Sequence, residues 1–137
     1  MLKFTRGFTL VELITVIILV GIISISVSSR FFDQNIATVQ SSRDDVIAAL
    51  FFAQQTAMAR SGIAVSISAN SVNVTENGTS IVIHSGAYPL TLPSGITATP
   101  ASFNYDKLGK TSPGTITLNK DGISATITVE ASGYAHY

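Results

Sequence analysis

The chain has 137 residues, with eight basic and eight acidic side chains and no cysteine. This length suits one small domain with an appendage and argues against a multidomain enzyme. The lack of cysteine excludes disulfides, thiolate metal sites and cysteine nucleophiles. With a formal charge of zero, the chain has no net electrostatic attraction to nucleic acid, which is therefore not an expected partner.

An apolar run, Phe8 to Val27, follows a short leader that carries Lys3 and Arg6. As a helix the run would measure about 30 Å, which matches the hydrocarbon core of a bilayer. The basic leader predicts one membrane crossing with the amino terminus in the cytoplasm. A cleaved signal peptide is the alternative, with Ser26 and Ser28 as the small residues of its cleavage site, but the run is longer than such peptides usually have.

Glu12 is the single acidic residue of this run. A carboxylate costs about 2.5 to 3.5 kcal/mol at mid-bilayer and less near the interface, so its presence requires a partner or a role. The simpler interpretation is an interfacial acid that extends to the lipid headgroups. The functional interpretation is that the carboxylate has a specific partner or role.

The residues Gly7-Phe8-Thr9-Leu10-Val11-Glu12-Leu13, followed by the apolar helix, resemble the amino terminus of type IV prepilins and of type II secretion pseudopilins. The resemblance implies cleavage by a membrane prepilin peptidase between Gly7 and Phe8, followed by N-methylation of Phe8. It also implies that Glu12 meets the free amino terminus of a neighbouring subunit and determines the register of assembly.

The chain departs from this family at Ser29, where many members have proline. A proline would remove a helical hydrogen bond and provide a hinge. With serine at this position we expect one long helix, although the pair Ser28-Ser29 can itself bend a helix. The helix should end near Arg60 to Gly62, where a basic residue is followed by glycine.

The second half of this helix is amphipathic and should pack on a sheet. Ser42 and Asp45 either form a variant of the capping box or lie inside the helix. The apolar stripe consists of Val39, Val46, Leu50, Ala53 and Ala57, widened by Ile47, Phe51 and Met58.

From Ile63 onward the pattern changes to alternating β residues. Asn77-Gly78 predicts a hairpin before Ile81 to Ile83, and prolines divide the middle of the domain into turns and short strands. A second hairpin is expected with its turn at Asn119 to Gly122. The final residues, Gly133 to Tyr137, can form a short last strand.

Two further stretches resemble the minor subunits of the GspH, FimT and MshC type. The first is Val46 to Gly62, a helix end rich in small residues. The second is Phe103 to Tyr134, in which Phe103, Gly109 and Ser132-Gly133-Tyr134 occupy the positions of a recurrent pattern. Together with the amino terminus, these stretches extend the resemblance over nearly the whole chain.

No catalytic or metal-binding set is evident in the sequence. His84 and His136 have no ligand or catalytic partner at the required spacing, and no activated serine motif occurs. Lys107, Lys110 and Lys120 are the one hint of nucleic-acid affinity, for which a solvated surface is the simpler interpretation. We expect no enzyme activity, no cofactor and no metal.

The expected fold is α+β, a long N-terminal helix whose outer half packs on a C-terminal antiparallel β-sheet or small β-sandwich. The expected function is that of a minor pilin or pseudopilin of a type IV pilus, an MSHA-like pilus or a type II secretion system. A membrane-anchored or tip-exposed adhesin or DNA-uptake module is the alternative. The expected segments are a leader (1–7), a transmembrane or filament-core helix half (8–28), an amphipathic helix half (29–61) and a β domain (62–137).

The resemblance also implies partners and a location. The partners would be other pilin or pseudopilin subunits, the prepilin peptidase, an inner-membrane assembly platform and, before assembly, the lipid bilayer. The chain would cross the inner membrane once, with its C-terminal domain in the periplasm, and would then enter a pilus or pseudopilus.

Overall fold

A computed structural model describes residues 8–83 and 86–137, with side chains for residues 8–24, 34–82 and 88–137. The leader, including Gly7, and His84 therefore lie outside the described residues. The structure divides into two compact units, Met1–Gln34 and Asn35–Tyr137.

Helix α1 is assigned to Leu10–Ala59. Gly62, which follows its end, has a φ of +74°, a left-handed conformation that glycine adopts without steric cost. The carbonyl of Gly62 accepts a hydrogen bond from the Asn77 amide at 2.8 Å. A side chain at Gly62 would overlap the Asn77 side chain. The predicted stop near Arg60 to Gly62 is therefore confirmed.

The described residues form eleven strands. In chain order they are β1 (Ile63–Ile67), β2 (Ser71–Glu76), β3 (Thr79–Ser80), β4 (Val82–Ile83), β5 (Gly86–Ala87), β6 (Leu90–Thr91), β7 (Thr97–Ala98), β8 (Ala101–Tyr105), β9 (Gly114–Lys120), β10 (Ile123–Val129) and β11 (Ala135–His136).

These strands make three antiparallel sheets. The five-stranded sheet has the order β3-β2-β1-β8, with β6 also paired to β2, and the four-stranded sheet has the order β11-β10-β9-β7. The third sheet is the β4-β5 pair. An α+β class with antiparallel sheets is thus confirmed.

Two glycine-containing turns connect the hairpins as the sequence predicts. Asn77 and Gly78 have φ angles of 51° and 82°, and Asp121 and Gly122 have φ angles of 50° and 83°. Positive φ at both central residues is the geometry of a two-residue type I′ turn, whose twist suits a hairpin. The second turn comprises 121–122, because β9 continues to Lys120 and is longer than predicted.

One hydrophobic core joins residues 39–57 of the helix to both larger sheets. Val46, Leu50, Ala53 and Ala57 are fully buried on the helix side. On the sheet side, Val65, Val72, Val74, Ile116, Leu118 and Ile127 are buried completely. Alternate residues of the longer strands β1, β2, β8, β9 and β10 therefore face the core, as expected for sheets with one solvated face.

The prediction that Phe51 and Met58 widen the buried stripe is wrong. Both side chains are more than half exposed, whereas Ile47 is packed against the core as predicted. The alanines at positions 49, 53 and 57 line the buried face, and such small residues allow the helix to approach the sheets closely. The larger side chains at 51 and 58 lie on the outer face.

Candidate functional site

The apolar segment, Phe8 to Ser24, is the first candidate site. Twelve of its large hydrophobic side chains are 44% to 74% exposed, from Phe8 through Ile23. A helix that is hydrophobic on all sides is normally covered by lipid or by other protein. No helix in the described part of the chain is at once long enough and apolar enough to count as a bilayer-spanning helix.

Thr9 caps the start of this helix. Its Oγ1 accepts a hydrogen bond from the Glu12 amide at 3.2 Å, and its carbonyl accepts one from the Leu13 amide at 3.2 Å. This is half of a capping box, in which the residue three positions after the cap is glutamate. Thr9 has no role of its own among the sequence predictions, although the pattern Thr-x-x-Glu before an apolar run is a known signal of a helix start.

Glu12 therefore lies in the first turn of the helix, with an exposed side chain. A carboxylate at this position interacts favourably with the positive end of the helix dipole. Phe8, whose side chain is 73% exposed, precedes the cap and is outside the helix. The expected cleavage site involves Gly7, which lies outside the described residues.

Within the domain, an open groove lies between the end of α1 and the β2–β3 hairpin. It has a volume of about 440 Å³ and is lined by Arg60, Glu76, Asn77 and residues 79–82. Arg60 Nη1 and Glu76 Oε2 form an ion pair at 3.0 Å. Because both side chains are partly solvated, this pair contributes little stability. Among these described lining residues, no side-chain hydroxyl is hydrogen-bonded to a carboxylate.

Gln54 joins two loops to the helix. Its Nε2 donates to the carbonyls of Gly109 at 3.2 Å and Ser132 at 3.0 Å. A side chain at Gly133, whose φ is +85°, would overlap the carbonyl oxygen of Gly109. Gly109 and Ser132-Gly133 are among the positions on which the resemblance described under Sequence analysis rests. The structure brings them together in one packing junction. Gln54 also belongs to this junction, but no pattern in the sequence predicted its role.

The three lysines do not form one cluster. Lys107 and Lys110 lie in the loop after β8, close in sequence to Gly109. The Gly109 carbonyl accepts a hydrogen bond from Gln54, so this loop lies beside position 54 of the helix. Lys120 ends β9 beside the turn at Asp121, whose carboxylate accepts a hydrogen bond from Asn35 at 3.1 Å. Positions 35 and 54 are separated by about 28 Å along a helix, so the lysines lie at opposite ends of the domain.

One buried and one partly buried tyrosine have raised pKa values. Burial raises the pKa of the Tyr105 hydroxyl to about 12, and it also raises the pKa of Tyr88. Tyr88 stacks on Phe52 with ring centroids 5.9 Å apart, which is a packing role. Because both pKa values are raised, both hydroxyls are neutral at physiological pH.

Among the described residues, no three histidine, aspartate or glutamate side chains are placed to hold a metal ion. His136 Nε2 lies 3.4 Å from Glu130 Oε1, and its ring stacks on Tyr134.

Comparison with known proteins gives no match: no family model, curated protein or solved structure is similar to this chain. The residues and their geometry therefore carry the functional inference.

Proposed function

We propose that the protein is a structural subunit, a minor pilin or pseudopilin, that assembles through its N-terminal helix into a type IV pilus, an MSHA-like pilus or a type II secretion pseudopilus. The observation that carries this proposal is the apolar segment, whose large side chains are exposed on all sides. Burial of this surface against lipid, and later against neighbouring helices, is strongly favourable.

Glu12 is the assembly residue in this proposal. Its exposed carboxylate lies in the first helical turn, within reach of a cation from another chain. Cleavage after Gly7 would create such a cation at the new amino terminus of Phe8. Two groups that are each costly in an apolar environment would neutralise one another across the subunit contact.

The proposed life cycle begins in the inner membrane. The chain inserts with its leader in the cytoplasm and the C-terminal domain in the periplasm, and the prepilin peptidase then removes residues 1–7 and methylates Phe8. An assembly platform moves the subunit into the filament. The long N-terminal helix, with residues 39–57 packed on the β-sheets, would connect the filament core to the domain. No enzyme activity is part of this proposal.

Mass spectrometry of the N-terminal peptide from cells that contain a prepilin peptidase tests the processing step. We expect the peptide to begin at Phe8 and to carry one additional methyl group. A peptide that begins after Ser28 would instead identify a cleaved signal peptide and would contradict the proposal. A Gly7→Val variant should remain uncleaved, because a side chain at this position obstructs the extended backbone in a protease cleft.

Replacement of the carboxylate tests the assembly step. Glu12→Gln should leave cleavage intact but lower the amount of subunit in sheared filaments, because the neutral amide cannot compensate a buried ammonium group. Thr15→Val is the matched control. It removes a polar group one turn later, where the hydroxyl already bonds to the carbonyl of Val11 at 2.8 Å. Normal incorporation of Glu12→Gln, or an equal loss with Thr15→Val, would show that the carboxylate has no pairing role.

A further inference from the structure

The solvated face of the four-stranded sheet carries only hydroxyl and amide side chains on its two central strands. In β9 and β10 the residues that alternate with buried Ile116, Leu118, Ile127 and Val129 point away from the core. We call these six residues the hydroxyl face: Thr115, Thr117, Asn119, Ser124, Thr126 and Thr128.

Strand register arranges the hydroxyl face as a regular grid. Thr115 pairs with Thr128, Thr117 with Thr126, and Asn119 with Ser124. Directly paired residues lie on the same side of a sheet. The grid therefore has two columns about 4.8 Å apart and rows about 6.8 Å apart, which is twice the rise per residue of a strand.

The six side chains are free to bind another molecule. None of them makes a side-chain hydrogen bond within the described part of the chain, whereas Thr97 and Thr99 at the edge of the sheet bond to the carbonyls of β9. Each hydroxyl can donate one hydrogen bond and accept two. The hydroxyl face contains no charged residue.

An aromatic pair borders this grid. His136 pairs with Thr128 across β10 and β11, which places its ring on the same side of the sheet. The Tyr134 ring stacks on His136 with centroids 5.5 Å apart, and Tyr134 is 58% exposed. Glu130, whose carboxylate lies 3.4 Å from the His136 ring, provides acceptors at the same border.

The chemistry of this surface selects among classes of partner. Nucleic acid and anionic lipid require basic side chains, and the hydroxyl face has none. The centres of protein interfaces favour Tyr, Trp, Met and Arg and are depleted in Ser. A neutral glycan fits: its hydroxyls donate and accept as Ser and Thr do, and its C–H groups suit the electron-rich face of an aromatic ring.

We propose that the hydroxyl face and the Tyr134–His136 pair form a binding surface for a neutral polysaccharide. The sugar hydroxyls pair with the side chains of the grid, and one pyranose ring lies on Tyr134. This surface belongs to the domain and does not depend on the filament function, because a purified chain should bind whether or not it assembles.

The test measures depletion of the full-length chain from solution by insoluble cellulose and chitin, with soluble dextran as a competitor. The detergent must have a non-sugar head group, such as an amine oxide, because a glycoside detergent would occupy the surface. We expect binding to at least one of these neutral polysaccharides that persists when the salt concentration is raised severalfold. Electrostatic adsorption, in contrast, weakens with salt.

Matched double variants identify the surface. Thr117→Val with Thr126→Val removes two hydroxyls while retaining β-branched side chains, and it should weaken binding about tenfold, as expected for two lost hydrogen bonds. Thr79→Val with Thr91→Val changes two exposed strand threonines of the other sheet and should bind like the unmodified chain. Tyr134→Ala should also weaken binding, with an unchanged Tm for all variants.

Three outcomes would overturn the proposal. The first is no binding to cellulose, chitin or dextran. The second is equal binding by the two double variants. The third is binding that disappears as salt rises, which would indicate adsorption through the loop lysines.

Discussion

At the scale of single residues, Tyr105 places an unpaired hydroxyl in the hydrophobic core. The side chain is 6% exposed, and its hydroxyl has no hydrogen-bond partner in the described part of the chain. An unsatisfied buried hydroxyl costs about 1 to 3 kcal/mol. The same burial disfavours the charged phenolate, which is why the pKa of Tyr105 rises to about 12.

The raised pKa makes stability depend on pH in the alkaline range. Below pH 10 the tyrosine is protonated in both states. Between about pH 10 and 12 the unfolded chain loses the proton while the folded chain keeps it, so the free energy of unfolding falls as pH rises. Tyr105→Phe should reduce this alkaline loss and should be at least as stable as the unmodified chain at neutral pH.

Urea unfolding at neutral and alkaline pH measures both effects. Tyr137→Phe is the control, because Tyr137 is 81% exposed. Removal of its hydroxyl should change neither the free energy of unfolding at neutral pH nor its decrease at alkaline pH. An alkaline slope that Tyr105→Phe leaves unaltered would contradict the assignment of the raised pKa to Tyr105.

At the scale of elements, the junction of Gln54 with two loops holds the helix to the sheet edges. The loop after β8 and the loop between β10 and β11 meet at Gly109 and Gly133, and Gln54 bonds to both loops. Gly133 has positive φ and close neighbours. Gly122 has a similar φ of +83°, but no atom lies within 4 Å of the position that a β-carbon would occupy there. A comparison of substitutions at Gly122 and Gly133 therefore distinguishes the cost of backbone strain from the cost of steric overlap.

Alanine substitutions at these glycines should differ in cost. Gly122→Ala should lower the free energy of unfolding by about 1 to 2 kcal/mol through left-handed backbone strain alone. Gly133→Ala should cost a further 1 to 3 kcal/mol or so, because its methyl group overlaps the Gly109 carbonyl and displaces Gln54. Urea unfolding midpoints check both values. Equal losses at the two positions would show that the junction is not tightly packed.

At the scale of the whole molecule, the two units differ in where their apolar surface lies. The unit Asn35–Tyr137 buries most of its described large aliphatic side chains in one core, with Ile36, Val82, Leu90 and Leu108 as exceptions, whereas the described large hydrophobic side chains of Met1–Gln34 are exposed. Large contiguous exposed apolar surfaces indicate interaction with lipid or protein. We therefore expect the first unit to drive association and the second to fold on its own.

A chain that begins at Asn35 should fold cooperatively and remain monomeric in water. The full chain should associate unless detergent covers residues 8–24, because hydrophobic burial drives association. Size-exclusion chromatography with light scattering, with and without detergent, distinguishes these states. A full chain that is monomeric in detergent-free buffer, or an unfolded shortened chain, would contradict this division of roles.

The sequence predicts those features that depend on neighbouring residues. The end of α1 near Gly62 and the turn at Asn77-Gly78 follow from the backbone freedom of glycine and asparagine, which acts over two or three residues. The apolar run and Glu12 are equally evident, because the hydrophobicity of consecutive residues is read directly from the sequence.

Features that require distant segments to meet were decided by the tertiary structure. Phe51 and Met58 were predicted to widen the buried stripe, but both side chains are more than half exposed, because at 100° per residue they lie about 100° or more from the centre of the stripe formed by residues 46, 50, 53 and 57. Gln54 bonds to residues 55 and 78 positions away, and the grid of the hydroxyl face depends on the register of β9 and β10. The sequence by itself determined an apolar N-terminal segment with one carboxylate and an α+β class for the chain. Only folding decided which surfaces of that domain remain available, because register and close packing depend on the whole chain at once.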